Sequence, residues 1–125
     1  MTAQEIPRAE WLRFLDEFSR AHEGWLVTIE ERDPRGLPRE LARDVPLSGI
    51  SAELHGEEAH EIAVIAGPRD AEWTHRIADP ARLWINRTPE GAQEGIETES
   101  AGGVRTIIRF RSAVLPETVD GMLQP

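Results

Sequence analysis

The sequence predicts an α+β domain in which an N-terminal amphipathic helix precedes a six- to eight-stranded antiparallel meander, bent sheet or small barrel. Three observations carry this. An apolar stripe at helical spacing lies near the start of the chain. The period then changes to two and persists through short runs parted by tight turns. The last two runs align in one register on both of their faces.

The helix is expected over about 7–22. In PRAEWLRFLDEFSRAHEG, Trp11, Phe14, Leu15 and Phe18 follow the i, i+3, i+4, i+7 spacing of a helix with one buried face. Pro7 suits the first helical position, where a missing N–H costs nothing, and Gly24 suits the stop. Arg13, Asp16, Glu17 and Arg20 fall on the wet face.

Strands are expected at about 24–31, 47–55, 60–66, 72–78, 82–87, 94–100 and 104–111. In GWLVTIEE, Trp25, Val27 and Ile29 alternate with Leu26, Thr28 and Glu30. ERDPRGLPRELARDVP reads as a loop, with a short strand or a helical turn around 39–45 left open. Ile50, Ala52 and Leu54 share a face, and HEIAVIAG is apolar on both faces, as a central strand is. EWTHRI alternates, with Trp73, His75 and Ile77 on one side; ADPA is a tight turn before RLWINRT. Around AGG, a three-residue turn puts Glu99 opposite Arg105 and Ile96 opposite Ile108. Ile96, Thr98, Thr106, Ile108 and Phe110 then face the core, and Glu97, Glu99, Arg105, Arg109 and Arg111 face away. VLPETVDGMLQP reads as a turn of helix and a tail. The whole, residues 1–125, is a single domain without repeats, and its order of elements resembles Sm-like and SH3-like barrels.

Composition excludes several chemistries. With no cysteine there is no disulfide, thiolate nucleophile or cysteine-bound zinc. All 14 basic residues are arginine, so a Schiff-base or phosphate-loop lysine is absent, and so is a tyrosine acid. A net charge of −9 opposes nonspecific nucleic-acid binding and repels anionic membranes. The opening MTAQEIPRAEW has no basic start followed by an apolar run, and no stretch has membrane-span length. A cytoplasmic protein without cofactor is expected.

Several constellations bear on function. In LHGEEAHEIAVIAG, His55 and His60 with Glu57 or Glu58 have zinc-ligand chemistry, yet the position for a second metalloprotease histidine is Val64. No metal site is expected; the stretch reads as a wet hairpin tip. His22 lies in the last helical turn, where the helix dipole favours a cation. Trp73, His75 and Trp84 are the candidate ligand-binding residues, since a histidine beside tryptophans offers one polar handle in an apolar setting. Arg105, Arg109 and Arg111 form a candidate anion-binding stripe, with Glu97 and Glu99 placed to neutralise it across the strands. No nucleophile elbow or glycine-rich phosphate loop occurs, so no catalytic residue is assigned.

EWLRFLDEFSRAHEGWLVTIE, LSGISAEL and RFRSAVLPETVDGM together resemble a family of small bacterial proteins known as a domain of unknown function. The resemblance spans about Ile6 to Met122 and implies a self-contained bacterial domain without an assigned activity, cofactor or catalytic residue. The expected function is a non-enzymatic binding or assembly module, with a homo-oligomer or a protein partner. The alternative is a small-molecule site, or a small hydrolase or isomerase, around Trp73, His75 and Trp84.

Overall fold

A computed structural model describes residues 2–55 and 58–111, and the side chains of all of these except 55, 58 and 59. The C-terminal turn of helix expected from VLPETVDGMLQP lies outside the described residues.

The chain opens with strand β1 (Thr2–Glu5), passes a 3-10 turn at Arg8–Glu10, and enters helix α1 (Trp11–Ala21). Pro7 is extended (φ −59°, ψ 143°), so it introduces the 3-10 turn rather than the α-helix. Trp11, Leu15 and Phe18 are buried, as the apolar stripe requires. The Trp11 indole N–H donates to the Ile6 carbonyl (2.9 Å), which satisfies its one polar atom inside the core.

Seven further strands follow: β2 (Leu26–Arg32), β3 (Pro38–His55), β4 (Glu58–Ala66), β5 (Trp73–Ala78), β6 (Pro80–Arg87), β7 (Gln93–Ser100) and β8 (Arg105–Phe110). They form one sheet in the order β1-β6-β7-β8-β2-β3-β4-β5, antiparallel throughout. The hairpin of β7 and β8 has the expected register, Ile96 opposite Ile108 and Glu99 opposite Arg105. The open stretch 39–45 belongs to β3, an 18-residue strand shared by both halves of the sheet. Its first half pairs with β2 and its second half with β4. The change of partner falls near Asp44, at φ 51°, with register shifts on either side.

The core lies on one face of this sheet. Val27, Ile29, Ile62, Val64, Leu83, Ile85, Ile96 and Ile108 are wholly covered there, and α1 adds Trp11 and Leu15. Each such side chain contributes about 1.5–3 kcal/mol relative to exposure. β4 touches β6 across the core, so the sheet is strongly bent.

It does not close. β1 and β5 are its two ends and do not pair, which removes the barrel from the expected alternatives. At the corner after β5 the chain passes to the other end of the sheet. Asp79 adopts φ 48°, its N–H donates to the His60 carbonyl (3.1 Å), and its own carbonyl accepts from the Ala101 N–H (2.9 Å). Chain direction thus changes within one residue, and β6 starts at Pro80 already paired to β7. A hairpin between β5 and β6 has no room to form. No described helix is long and apolar enough to cross a membrane.

Candidate functional site

The sheet separates the predicted ligand-binding residues. Trp73 and His75 lie on the core face of β5, opposite Ala66 and Val64 of β4. Trp84 lies between buried Leu83 and Ile85, so alternation turns it to the outer face. There it sits opposite Glu97, under the guanidinium groups of Arg82 (4.8 Å) and Arg105 (5.3 Å).

His75 has a carboxylate neighbour that sequence reading does not reveal. Glu31, at the far end of β2, reaches it across the bend, with Oε2 3.8 Å from Nε2. That is an ion-pair distance for a charged ring and too long for a hydrogen bond. Glu31 is held by Arg39, whose Nη2 donates to Oε1 at 2.8 Å. Burial holds the His75 ring below the usual histidine range; the nearby Glu31 charge opposes this and Arg39 adds to it. The ring is therefore neutral near pH 7, and its Nε2 is buried without a hydrogen-bond partner among the described residues. Thr106, opposite Glu31 on β8, and Thr98, opposite Thr106 on β7, are buried with unpartnered hydroxyls. Glu31, Thr106 and Thr98 thus form a polar row across β2, β8 and β7, which His75 of β5 approaches at Glu31.

The outer face carries a second arrangement. Arg105 and Arg109 of the predicted stripe line a cleft of about 320 Å³ with Arg32, Asn86, Glu94 and Glu97, floored by Ile107. Arg111 is exposed and does not line it. Of the stripe, Glu97 and Glu99 neutralise Arg105, which donates to Glu97 and lies 3.8 Å from Glu99. Glu30, which no sequence pattern singled out, pairs with Arg32 at 2.6 Å and with Arg109 at 3.7 Å. The Arg32 hydrogen bond in particular holds the Glu30 carboxyl below the usual carboxylate range.

Glu94 enters the cleft because of a bulge. β6 and β7 slip register between Asn86 and Arg87, leaving Glu94 without a partner position. The next residue, Gly95, has φ +155° and runs so close to β8 that a Cβ there would lie 2.0 Å from the Ile108 carbonyl oxygen. Glu94 Oε1 is buried with no hydrogen-bond partner among the described residues. Its neighbours include guanidinium forks whose five N–H donors exceed what their glutamate partners use. Glu94 thus lines the same cleft as the three arginines and Asn86. The sequence signal was the glycine after Glu94, which sits where a strand pattern predicts a side chain.

His22 differs from expectation. It is buried among Phe18, Trp25 and Phe110, with ring centroids 4.4–4.7 Å away. Nδ1 is 2.8 Å from the Phe18 carbonyl oxygen. Burial lowers its pKa despite that bond, so the ring is a core aromatic rather than a terminal cation. The side chains of His55, Glu57 and Glu58 fall outside the described set, and His60 is exposed on β4. Among the described residues, no group of three histidines or acids is placed to hold a metal.

No curated protein and no solved structure matches this chain. A family model does, over residues 2–118: the chain belongs to the family of unknown function DUF5335.

Proposed function

We propose that this protein is a non-enzymatic binding module that holds a small polar molecule in the outer cleft. One observation carries the reading: Glu94, whose Oε1 is buried without a hydrogen-bond partner among the described residues, lines a cleft with Arg32, Arg105, Arg109, Asn86, Glu97 and Ile107. A buried acceptor without a partner costs about 1–3 kcal/mol, which a ligand N–H offsets once the carboxylate turns toward the cleft. The arginines supply donors for an anionic group on the same ligand. The fitting class is a compact zwitterion, or a molecule joining an anionic group to an N–H donor. A cytoplasmic, bacterial setting belongs to the same proposal. So does assembly with a second copy or a partner protein through the end strands β1 and β5.

The test is a ¹H–¹⁵N correlation titration of the whole chain with zwitterions of increasing length, from glycine to 6-aminohexanoate, beside acetate and methylammonium. The zwitterions are expected to shift the amides of Gly95 and of residues 105–109 more than either half-molecule. Glu94→Gln should remove the difference. Equal shifts from acetate alone, or none at these amides, would retire the cleft. A native mass spectrum of the same sample reports the subunit count.

A second reading rests on the Arg39-held Glu31 aimed at His75. It assigns the polar row to acid–base chemistry, with His75 as the base. Hydrolysis of 4-nitrophenyl acetate that is lost in His75→Asn favours it; a rate no greater than that of free imidazole rejects it.

A further inference from the structure

The outer cleft has two poles, set apart by the strand register. Asn86 of β6, Gly95 of β7 and Arg109 of β8 are direct partners across three neighbouring strands. Cross-strand partners share a face, so Asn86 and Arg109 stand on either side of a position that carries no side chain. Two strand spacings put their Cα atoms about 10 Å apart. At one pole, Asn86 is 8% exposed and lines the cleft. Its amide makes no hydrogen bond among the described residues. Glu94 is its neighbour across the bulge, the residue left over where the register slips between Asn86 and Arg87. Its Oε1 lacks a partner too. The Asn86 amide oxygen and the Glu94 carboxylate are thus two uncommitted acceptors on adjoining strands. At the other pole, Arg109 is the least committed of the arginines. It stands 3.7 Å from Glu30, longer than a hydrogen bond, whereas Arg32 bonds Glu30 at 2.6 Å and Arg105 donates to Glu97.

We propose, resting on the reading of this cleft as a small-molecule site, that its ligand is a primary-amine zwitterion, the chemistry of a free amino acid. The ligand lies across Gly95, with its ammonium at Asn86 and Glu94 and its carboxylate at Arg109. A primary ammonium brings three N–H donors. Asn86 and Glu94 accept two of them, and Glu97, which lines the same cleft, or water accepts the third. A quaternary ammonium brings none and leaves both acceptors unpaired. A site made to hydrogen-bond its ligand rejects an analogue that lacks the donor more strongly than an apolar pocket rejects a change of size. Glu94 attracts any cation by its charge. Asn86 is neutral and responds only to a donor, so it sets the preference for N–H over N–CH3.

The experiment titrates the whole chain with two matched pairs and reads Kd from the Gly95 amide. One pair is glycine and N,N,N-trimethylglycine; the other is 4-aminobutanoate and its N-trimethyl derivative. In at least one pair the primary amine is expected to bind at least about tenfold more tightly. Asn86→Leu keeps the size of the side chain and removes its hydrogen bonds. It should weaken the primary amine alone and bring the pair to within about twofold. Arg109→Gln should weaken both members alike, because both carry the carboxylate. Three outcomes overturn the inference and leave the cleft standing: equal binding within both pairs, a preference that Asn86→Leu leaves intact (as one resting on size would be), or an equal loss of both members in Asn86→Leu, which would place Asn86 at the carboxylate. No shift at Gly95 from any of the four compounds retires the cleft, and the inference with it. If Asn86→Leu does not fold, the matched pairs still decide on the unmodified chain.

Discussion

Replacing Gly95 with alanine tests the bulge that brings Glu94 into the cleft. Two costs add at this residue. The new Cβ would lie 2.0 Å from the Ile108 carbonyl oxygen, against an ordinary carbon–oxygen contact of about 3.3 Å. β7 and β8 must part by more than about 1 Å, and overpacking of that kind costs about 1–3 kcal/mol. The backbone, at φ +155°, is also a region that residues with a Cβ enter at about 1–3 kcal/mol. The expected loss is therefore about 4 kcal/mol. For a domain of this size that lowers Tm by about 15 °C. Gly91→Ala is the control: its φ is +93° and nothing lies within 4 Å of the added Cβ, so only the conformational cost remains. Thermal unfolding of both variants, followed by calorimetry, gives the comparison. If the two lose the same stability, the close approach of Gly95 to β8 is wrong, and so is the account of how Glu94 reaches the cleft.

Two further outcomes follow from buried polar groups. His22 and His75 both have pKa values below that of an unfolded histidine, because burial disfavours the charged ring. Protonation therefore favours the unfolded chain: their contribution is fully present above about pH 6.5 and is lost as the pH falls below it. Urea unfolding between pH 7.5 and pH 5 should show stability falling by at most about 1.4 kcal/mol per pH unit for each histidine. His22→Phe should flatten the curve; an unchanged slope would count against a buried neutral ring. Thr98→Val keeps the side-chain shape and removes a hydroxyl that has no partner. It should raise stability by about 1 kcal/mol, measured from the urea midpoint at constant m-value, and a loss of stability would mean that the hydroxyl is bonded.

The parts of the fold written in periodicity were legible, and those set by chain reversals were not. α1 announces itself because Trp11, Leu15 and Phe18 need one continuous covered face. The hairpin of β7 and β8 does so because charge and apolar patterns agree on one register. β1 is invisible in sequence: all its residues are exposed, so no burial period marks it. The first half of β3 is masked by prolines and by register shifts that break its alternation. Trp84 was grouped with Trp73 because both lie near the same turn. Asp79, however, turns the chain so that Trp73 faces the core and Trp84 faces out. The Glu31–His75 approach joins residues 44 positions apart across a bend, a distance no local pattern encodes.

The sharing of β3 between both halves has a consequence for how the molecule opens. A sheet assembled from two separate ribbons could lose one while keeping the other. Here one continuous strand runs through both halves, its first part paired with β2 and its second with β4, so neither half is a free-standing unit. Unfolding is expected to be all-or-none, with slow amide exchange at Val27 and Val64 governed by the same global opening. The exposed turn at Pro68–Ala71 can lengthen without touching this arrangement, whereas one extra residue near Asp44 would rotate half the strand by one face and exchange its inside for its outside.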